Sequence, residues 1–395
     1  MVSPLKSNIH EKGQYFTSNA FLKQCVRDLV LNNPERVLEP SVGRGDLIDS
    51  LYPVFNEVHF DMYEIDLEIE MLPCVNVENL TYGDFLVQKI DRKYKTIVGN
   101  PPYVKTATGN LYLDFIRRCH GLLEPGGELI FIVPSDFMKL TSAAPLLSHM
   151  MTTGTFTHVI RPNDEGLFED ASIDVIVFRY CLDPHLDRTV LYNDELKRLV
   201  ETNGIITFAP MDAPVSAEKI GDYFDVFVGM VSAREGVFKN EEFGTMDVRN
   251  GKDRLDKYIL IDEFPTEDAA LNAYLLDHKA ELIKRKIRRF NESNWFEWGA
   301  LRNYDRVSAR MGEDCLYIHT LTRDTEVAFV DKVSYFGGGI LALMPKADAP
   351  RKLDIYKVAA FLNSVQFREN YLYSGRFKIG QRQVCNCLIH TSICA

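Results

Sequence analysis

The sequence lacks the features that mark secreted, disulfide-stabilised or membrane proteins. Its eight cysteines, at positions 25, 74, 119, 181, 315, 385, 387 and 394, include no Cys-x-x-Cys pair, which argues against a zinc site and a disulfide framework. No stretch approaches the roughly 20 apolar residues of a membrane span, and the first residues lack the apolar core of a signal peptide. We therefore expect a cytoplasmic protein without a bound metal and without membrane association.

Two common nucleotide-binding motifs are also missing. The first glycine-rich turn reads GRGDLID from Gly43, which is not the GxGxxG pattern of NAD-binding proteins. A GxxxxGK[ST] phosphate-binding loop is absent as well, so a mononucleotide-triphosphate site of that type is not expected. The glycine turn must serve another ligand or be purely structural.

The charge balance is acidic overall but not uniformly so. A formal net charge of −11 argues against nucleic acid as a partner when taken alone. Between Lys279 and Arg310, however, nine basic residues face four acidic ones. This local surplus is consistent either with an ordinary solvated surface or with a track that contacts phosphate groups.

The order of the segments predicts two domains in a chain of 395 residues. In the first half, short β-rich runs alternate with helical patterns, which predicts an α/β fold with a mainly parallel sheet covered on both faces. Beyond a segment of weak periodicity the runs shorten and the loops lengthen, which predicts an irregular α+β domain. We place the domains at residues 1–205 and 206–395.

Polar residues and glycines follow three successive predicted strands. Gly43 and Gly45 follow the first strand and permit a sharp turn close to a ligand. Glu64 ends the second strand, about twenty residues later, where an acid commonly holds a ribose diol. Asp84 and Phe85 follow the third, where a carboxylate can accept from an adenine amino group and a ring can pack on the base. Together these positions describe an adenosine site.

The fourth strand ends in NPPY, residues 100–103. Neither proline has an N–H, and the residue before each proline is pushed towards an extended conformation, so the turn is stiff. The Asn100 side-chain oxygen and the Pro101 carbonyl then form two acceptors suited to the two N–H bonds of an aromatic amine. They would stabilise the positive charge that develops on that nitrogen as it attacks a sulfonium methyl group, while Tyr103 offers a face for stacking.

This series of motifs resembles the gamma class of DNA adenine-N6 methyltransferases of restriction–modification systems. KGQYFTS at 12–18, LEPSVGRG, EID, GDF, NPPY and GLFEDASIDVIVFRY follow the family order over the first 180 residues or so. The resemblance implies a Rossmann-like methyltransferase fold and S-adenosyl-L-methionine as cofactor. The catalytic residues it implies are Asn100, Pro101, Pro102 and Tyr103, and the base-stacking residues are Tyr103 and Phe168. The cofactor-binding residues it implies are Tyr15, Thr17, Glu39, Pro40, Ser41, Gly43, Gly45, Glu64, Ile65, Asp84, Phe85, Asn100 and Phe115.

The same resemblance assigns the second domain to DNA sequence recognition. FVGMVSAREGVF at 227–238 and YSGRFKIGQRQV at 373–384 are similar to the opening and closing segments of the family's recognition domain. From these segments and the basic region, the candidate DNA-contacting residues are Arg234, Lys284, Arg285, Arg288, Arg376, Lys378, Gln381 and Arg382. The expected partners are double-stranded DNA and a separately acting restriction endonuclease, and we expect a monomer.

Several other functions use a similar turn. Cytosine-N4 DNA methyltransferases more often have Ser at the position of Asn100. Enzymes that methylate guanine N2 in RNA, or glutamine amides in proteins, also carry NPPY. The glutamine enzymes usually end soon after the sheet, whereas nearly 180 residues follow it here. A non-catalytic DNA-binding protein that keeps the fold is a further alternative, against which the intact NPPY argues.

Overall fold

The computed structural model describes residues 15–106, 109–168, 172–213 and 215–390. The chain divides into two compact units, one comprising Met1–Ala213 with Tyr373–Gly375 and the other Pro214–Leu372 with Arg376–Ala395. The division follows Ala213 rather than residue 205, because the strand Ile205–Pro210 pairs with the strand before it. The N-terminal half of the KGQYFTS segment lies outside the described residues.

The first unit contains twelve strands and four α-helices within the described residues. The strands are β1 Arg36–Glu39, β2 His59–Glu64, β3 Leu80–Tyr82, β4 Tyr94–Gly99, β5 Lys105–Thr106, β6 Gly109–Asn110, β7 Leu123–Pro134, β8 Thr155–Ile160, β9 Val175–Cys181, β10 Thr189–Tyr192, β11 Glu195–Thr202 and β12 Ile205–Pro210. The helices are α1 Ala20–Asp28, α2 Asp46–Leu51, α3 Leu111–Leu122 and α4 Ala144–Thr153, with short 3-10 helices at Val77–Asn79 and Phe137–Lys139.

Ten of these strands form one sheet, in the order β12-β11-β10-β8-β9-β7-β4-β1-β2-β3. Strands β3, β2, β1, β4 and β7 are parallel to their neighbours, whereas β9 runs antiparallel between β7 and β8. The central strands are buried along their length, and two hydrophobic clusters cover the two faces of the sheet. The predicted Rossmann-like α/β sheet is therefore confirmed.

Strands β10 to β12 form an antiparallel meander that extends the sheet at one edge. Weak periodicity over residues 193–219 predicts a domain boundary there, yet β11 and β12 lie within that segment. Their burial does not alternate cleanly, since β11 exposes or half-exposes seven of its eight residues. An edge meander of this kind gives only a weak period-2 signal.

The parallel strands bring their carboxyl ends to one edge of the sheet. At this edge β1 ends at Glu39, β2 at Glu64 and β4 at Gly99. Helix α1 begins nearby, and the Asn19 side chain caps it by accepting from the backbone N–H groups of Phe21 and Leu22. Ligands of open α/β sheets bind outside this edge, so the fold places the predicted site residues where such a site is expected.

The second unit mixes short strands and helices. Its strands are β13 Val215–Lys219, β14 Phe224–Val228, β15 Met246–Gly251, β16 Arg254–Tyr258, β17 Asp314–His319, β18 Leu321–Thr322, β19 Ala328–Lys332, β20 Ile340–Pro345, β21 Leu372–Tyr373, β22 Arg376–Lys378 and β23 Leu388–His390. Its helices are α5 Ile220–Tyr223, α6 Glu235–Phe238, α7 Ala269–Ile283, α8 Tyr304–Ser308, α9 Ile355–Leu362, α10 Val365–Glu369 and α11 Gln381–Asn386.

A four-stranded antiparallel sheet, in the order β14-β20-β17-β19, organises the second unit. The predicted irregular α+β architecture is confirmed. The apolar spacing of residues 354–375 in the sequence predicts one amphipathic helix, but this prediction is wrong, because α9 ends at Leu362 and α10 begins at Val365. The Ser364 hydroxyl accepts from the backbone N–H of Phe367 and so starts the second helix. No helix among the described residues has the length and apolar character needed to cross a bilayer.

Candidate active site

The turn after β1 is built around two glycines. Gly43 and Gly45 have φ values of +56° and +97°, in the left-handed region that favours glycine. A Cβ placed on Gly45 would lie 2.2 Å from Cγ2 of Val75, so alanine does not fit there without movement. Gly45 then starts α2, and its N–H donates to the Val42 carbonyl at 2.9 Å. The turn therefore holds the backbone of residues 41–45 against the sheet edge.

Glu64 fixes this turn to the end of β2. One carboxylate oxygen accepts from the backbone N–H of Gly43 at 2.9 Å. The other accepts from the N–H groups of Ile65 and Asp66, both at 2.9 Å. The side chain is 6% exposed and lines the adjoining cavity. Glu64 is therefore oriented by three backbone donors, as a carboxylate that holds a hydroxyl-bearing ligand must be.

Glu39, at the end of β1, is a buried carboxyl group with an unpartnered oxygen. It is 1% exposed, and its Oε1 accepts from the backbone N–H of Ser41 at 3.3 Å. Oε2 has no hydrogen-bond partner among the described residues. Burial raises the pKa of Glu39 well above its usual value, and the nearby Glu64 carboxylate raises it further. A buried acceptor of this kind is suited to a positively charged ligand group, which would favour the ionised carboxylate.

Aromatic rings form the other end of the site. The rings of Phe85 and Phe115 stack at a centroid distance of 5.5 Å, and both residues line the cavity. The Asp84 carboxylate is exposed and accepts from the backbone N–H of Leu86 at 2.9 Å. The predicted acid and the two predicted aromatic residues are thus neighbours in space.

Arg118 supports these rings from helix α3 and was missed by sequence analysis. Its guanidinium lies 5.0 Å from the Phe85 ring centroid. It also donates to the carbonyls of Leu86, at 2.6 Å, and Gln88. Arg118 therefore ties the loop after β3 to α3. In the sequence, Arg118 stands three residues after Phe115 on the same predicted helix. An arginine on a solvent-exposed helix face can have the same spacing, so the sequence does not single it out.

A cavity of about 350 Å³ connects these groups. The predicted cofactor-binding residues that line it are Tyr15, Pro40, Ser41, Gly43, Glu64, Ile65, Asp84, Phe85, Asn100 and Phe115. Glu39 and Thr17 line a smaller adjoining space of about 30 Å³, whereas Gly45 lines neither. Phe16, Ile69 and Leu86 add apolar walls that were not predicted. The volume lies within the roughly 300–1,000 Å³ typical of small-molecule sites.

The NPPY turn stands beside this cavity, and its asparagine is held in place by the segment before α1. The Asn100 amide nitrogen donates to the Tyr15 carbonyl at 2.7 Å and to Oγ1 of Thr17 at 3.0 Å. The backbone carbonyl of Asn100 accepts from the Ser41 hydroxyl at 3.4 Å. The two bonds from the amide nitrogen fix the orientation of the side chain so that Oδ1 is the acceptor, as the predicted role requires.

Tyr103 contacts that same acceptor. Its hydroxyl lies 2.5 Å from Oδ1 of Asn100 and 3.1 Å from the carbonyl of Ile132, at the inner end of β7. Burial raises the pKa of the Tyr103 hydroxyl well above its usual value, so the group is a neutral donor. The Tyr103 hydroxyl thus uses one of the two lone pairs of Oδ1, and an amide oxygen can accept a second hydrogen bond from a substrate amine.

Three aromatic rings meet at the mouth of the turn. Tyr15 stacks on Tyr103 with a centroid distance of 5.5 Å and an interplanar angle of 27°. Phe168 meets Tyr103 edge to face, at 6.3 Å and 83°, and is 4% exposed. The structure therefore brings Tyr103 and Phe168 together, but not as the parallel pair expected for two rings that sandwich a base. A base between them requires at least one ring to turn.

The residues present fit S-adenosylmethionine, the cofactor that the motif series implies. An apolar cavity with two stacked rings and an exposed carboxylate suits an adenine, and the oriented Glu64 carboxylate suits a ribose diol. The unpartnered oxygen of the buried Glu39 suits the ammonium of the methionine part. The fit thus rests on one orphaned buried acceptor and on the chemistry of the whole donor set.

One predicted DNA contact in the second unit has to be corrected. Arg285 is 8% exposed and donates to the carbonyls of Leu282, Ser232, Trp295 and Glu297. Its guanidinium also lies 3.8 Å from the Phe290 ring centroid, and burial lowers its pKa to about 10. The residue is fully engaged in holding loops together, so we remove it from the candidate DNA contacts. Sequence composition could not distinguish it from its exposed basic neighbours.

The other predicted contacts differ in how far they are engaged. Arg288 donates to Glu297 and to the Trp298 carbonyl, and Gln381 donates to the Val226 carbonyl at 2.6 Å. Arg234 is exposed and paired with Glu281. Lys284, Arg376 and Lys378 are exposed, and Arg382 is half-buried. These residues remain predictions, with Arg288 and Gln381 partly committed to internal hydrogen bonds.

Comparison with known proteins supports the class that the motifs predicted. Residues 57–168 match the family model described as Eco57I restriction-modification methylase. The chain is 27% identical over 215 residues to Type II methyltransferase M.HincII of Haemophilus influenzae, an alignment that covers 49% of this chain and 42% of that protein. It is 30% identical over 136 residues to Modification methylase CviBIII of Paramecium bursaria Chlorella virus NC1A, covering 29% and 35%.

The fold is similar to a solved structure over nearly the whole chain. The Type IIL restriction-modification enzyme MmeI, solved in complex with DNA, superposes with a TM-score of 0.59 at 10% identity, covering 96% of this chain and 68% of that one. The chain spans less than half the length of the curated relatives it matches. The predicted resemblance is confirmed at the level of the class: the first half of this chain is similar in sequence to restriction–modification DNA methyltransferases.

Proposed function

We propose that this chain is a site-specific DNA adenine-N6 methyltransferase that uses S-adenosylmethionine and acts as the modification enzyme of a restriction–modification system. The observation that carries the proposal is the position of Asn100. Its oriented amide stands at the end of β4, between a cavity lined by the predicted cofactor residues and the aromatic rings of Tyr103 and Phe168.

The chemistry follows from which groups face the amine. S-Adenosylmethionine, when bound, supplies a methyl group on a positively charged sulfur. Oδ1 of Asn100 and the Pro101 carbonyl accept hydrogen bonds from the two N–H groups of the exocyclic amine. They thereby stabilise the positive charge that grows on its nitrogen. The proton leaves the amine after the methyl group has transferred, so no strong general base is required. The Tyr103 hydroxyl donates to one lone pair of Oδ1, and the amine donates to the other.

Adenine is the proposed base because asparagine stands at position 100. Cytosine-N4 DNA methyltransferases, which carry a similar turn, more often have serine at the position of Asn100. The target base must leave the duplex, because its amino group is otherwise paired. Tyr103 and Phe168 then contact the two faces of the base after their rings have turned. The relatives matched here are named as methyltransferases, which supports methyl transfer but not the choice of base.

The proposed macromolecular substrate is double-stranded DNA, read by the second unit. We propose that the chain works as a cytoplasmic monomer and that a separate endonuclease cuts the same sequence when it is unmethylated. The MmeI enzyme was solved in complex with DNA, and the similarity in fold extends over both units of this chain. That likeness supports the fold, and the DNA substrate is carried over as part of the proposal.

The test is transfer of labelled methyl groups from S-adenosylmethionine to mixed-sequence genomic DNA, followed by digestion and nucleoside analysis. The proposal expects N6-methyldeoxyadenosine in one short sequence. N4-methyldeoxycytidine would replace adenine by cytosine as the target. Label in RNA or in protein amides, with none in DNA, would overturn the proposal in favour of the other NPPY reactions. Cofactor binding without any transfer would indicate a non-catalytic DNA-binding protein.

A further inference from the structure

A second cavity, of about 750 Å³, lies wholly within the second unit and plays no part in the proposed chemistry. It is formed by the loop 230–237, the glycine run 337–339, and polar side chains that include Asn250 and Tyr258. Its walls combine backbone, polar side chains and apolar ones such as Val237, Val248 and Trp298, so a planar ligand can find both polar partners and apolar contact there.

The two loops approach each other closely. A Cβ on Gly229 would lie 2.1 Å from the Gly337 carbonyl oxygen, so the backbones touch where no side chain fits. The isolated bridge between Met230 and Gly337 holds them in this position. Ala233, in the same loop, has a φ of +64°, a conformation that alanine rarely adopts. The surrounding structure thus imposes the path that delivers the next residue, Arg234, to the cavity.

Two exposed arginines line this cavity, and Arg234 differs from Arg254 in that two of its nitrogens, rather than Nε alone, donate to a carboxylate. Its Nε donates to Oε2 of Glu281 at 2.8 Å, and Nη2 donates to the same oxygen. The other oxygen of Glu281 lies 2.6 Å from Nδ1 of His278. The Arg234 side chain is still 54% exposed, and among the described residues Nη1 has no hydrogen-bond partner. The Nη1/Nη2 edge of the guanidinium therefore remains available for a ligand.

We propose that this cavity receives the major-groove edge of a guanine in the DNA recognition sequence, and that Arg234 reads it by donating to O6 and N7. The proposal rests on the proposed DNA-methyltransferase function and adds to it one base of the sequence that the second unit reads.

The geometry favours a base edge over a phosphate. Arginine donating two parallel N–H bonds to guanine O6 and N7 is the commonest base-specific contact in the major groove. Such a contact depends on the orientation of the guanidinium plane, which the Glu281 carboxylate, itself held by His278, fixes. The same carboxylate offsets part of the positive charge of Arg234. A phosphate contact needs charge more than a fixed plane, and a side chain neutralised by a carboxylate is poorly suited to it. An Arg234 side chain held in this way by Glu281 is therefore suited to determine sequence specificity.

The test begins with the wild-type protein and a duplex carrying its recognition sequence, mapped by sequencing of methylated genomic DNA. Each guanine in turn is replaced by 7-deazaguanine, which lacks the N7 acceptor but pairs normally. The proposal expects one guanine position at which the Kd rises roughly 10- to 150-fold, the range for a hydrogen bond to a charged group. A recognition sequence without guanine, or a wild-type protein indifferent to every replacement, overturns the proposal without requiring any variant to fold.

Two variants then assign the effect to Arg234. Arg234→Ala and Arg234→Leu, which both lack a donor, are expected to bind the natural duplex more weakly and to lose no further affinity when 7-deazaguanine stands at that position. Leucine keeps part of the apolar stem but has no donor, so a variant Arg234→Leu that retains the wild-type discrimination overturns base reading by this residue. Arg323→Ala removes an exposed arginine outside the cavity and is expected to leave the discrimination unchanged.

The outcome also separates this proposal from the one on which it rests. If the wild-type protein neither methylates nor binds duplex DNA, the methyltransferase function fails and this inference falls with it. If the wild-type protein methylates adenine in a defined sequence but Arg234→Ala keeps the discrimination against 7-deazaguanine at every position, only the role of Arg234 is overturned.

Discussion

The Tyr103 hydroxyl lies 2.5 Å from Oδ1 of Asn100, the oxygen proposed to accept the substrate amine. Two consequences follow for the role of Tyr103. Its ring is expected to stack on the base, which is worth about 1–3 kcal/mol per base. Its hydroxyl uses one of the two lone pairs of that acceptor and the amine can use the other, so losing the hydroxyl alone should do no harm.

Tyr103→Ala is therefore expected to weaken binding of a duplex with an unpaired target adenine by about 1–3 kcal/mol, whereas Tyr103→Phe binds at least as tightly as the wild type. An unpaired target adenine removes the cost of opening the duplex, so the Kd reports on stacking. If the two variants were equally defective, the hydroxyl rather than the ring would be the important group, and the stacking role would be wrong.

The raised pKa of Glu39 predicts that the free energy of unfolding depends on pH. Burial holds its pKa well above the usual value, so the folded protein keeps a proton that the unfolded chain releases. Its contribution is fully present below the ordinary carboxyl pKa and is lost as the pH rises towards the raised value. Glu39→Gln should therefore be increasingly more stable than the wild type as the pH goes from 5 to 8. Urea unfolding measures this, with the exposed Glu57→Gln as control. A pH-independent difference would contradict the account.

The same carboxyl group couples cofactor binding to a proton. An ammonium group beside Glu39 favours its ionised form, so binding of S-adenosylhomocysteine should release a proton at pH values below the raised pKa of Glu39. Calorimetry in two buffers of different ionisation enthalpy measures that release directly. Glu39→Gln should bind more weakly and release none. Equal proton release from wild type and variant would show that the ammonium lies elsewhere.

Replacing Gly45 by alanine is expected to lower the free energy of unfolding, and Gly126→Ala provides a matched control. Alanine at Gly45 meets Cγ2 of Val75 and also takes an unfavourable backbone conformation at φ +97°. Gly126 has a φ of +74° but nothing within 4 Å of an added Cβ. Gly126→Ala should cost about 1–2 kcal/mol of unfolding free energy from the backbone alone, and Gly45→Ala should cost more.

The pair Gly45→Ala and Val75→Ala tests that reasoning further. If the excess cost at Gly45 comes from the clash with Val75, the double variant should be more stable than the sum of the two single effects predicts. Strict additivity would place the cost elsewhere, in the turn itself or in the start of α2.

Arg118 predicts a change in cofactor affinity without a change in chemistry. Removing its contacts with the Phe85 ring and with the carbonyls after β3 should loosen the aromatic end of the cavity. Arg118→Leu is expected to raise the Kd of S-adenosylhomocysteine about five- to tenfold, on the order of 1 kcal/mol, with kcat at saturating cofactor unchanged. The neighbouring Arg117, which is exposed and paired with Asp114, provides the control Arg117→Ala. Equal effects of the two variants would contradict a positioning role.

The strand-end residues could be predicted from sequence because their pattern is local. Gly43, Glu64, Asp84 and Asn100 each follow a run with a clear apolar signal, and parallel strands necessarily bring such ends to one edge of the sheet. The order of the motifs along the chain therefore translated directly into a site. Ten of the predicted cofactor residues line a single cavity for this reason.

The remaining features depend on tertiary contacts that no local pattern encodes. Arg285 and Lys284 are adjacent and equally basic, but one is buried against four carbonyls and the other is exposed. The bond from Tyr103 to Asn100 depends on how Tyr15 packs on the ring. The strands at 189–210 pair at a sheet edge, where half-exposed residues blur the alternation.

The most direct test of the site is the single-turnover rate of Asn100→Ala at saturating S-adenosylmethionine, measured together with the Kd of S-adenosylhomocysteine. Because Asn100 also donates to Thr17, Thr17→Val serves as the control for that contact alone. We expect Asn100→Ala to lower the rate about 100- to 1,000-fold, the usual effect of removing one preorganised electrostatic contact. Its cofactor affinity should stay close to that of Thr17→Val. An Asn100→Ala rate equal to that of the wild type would contradict the proposed mechanism.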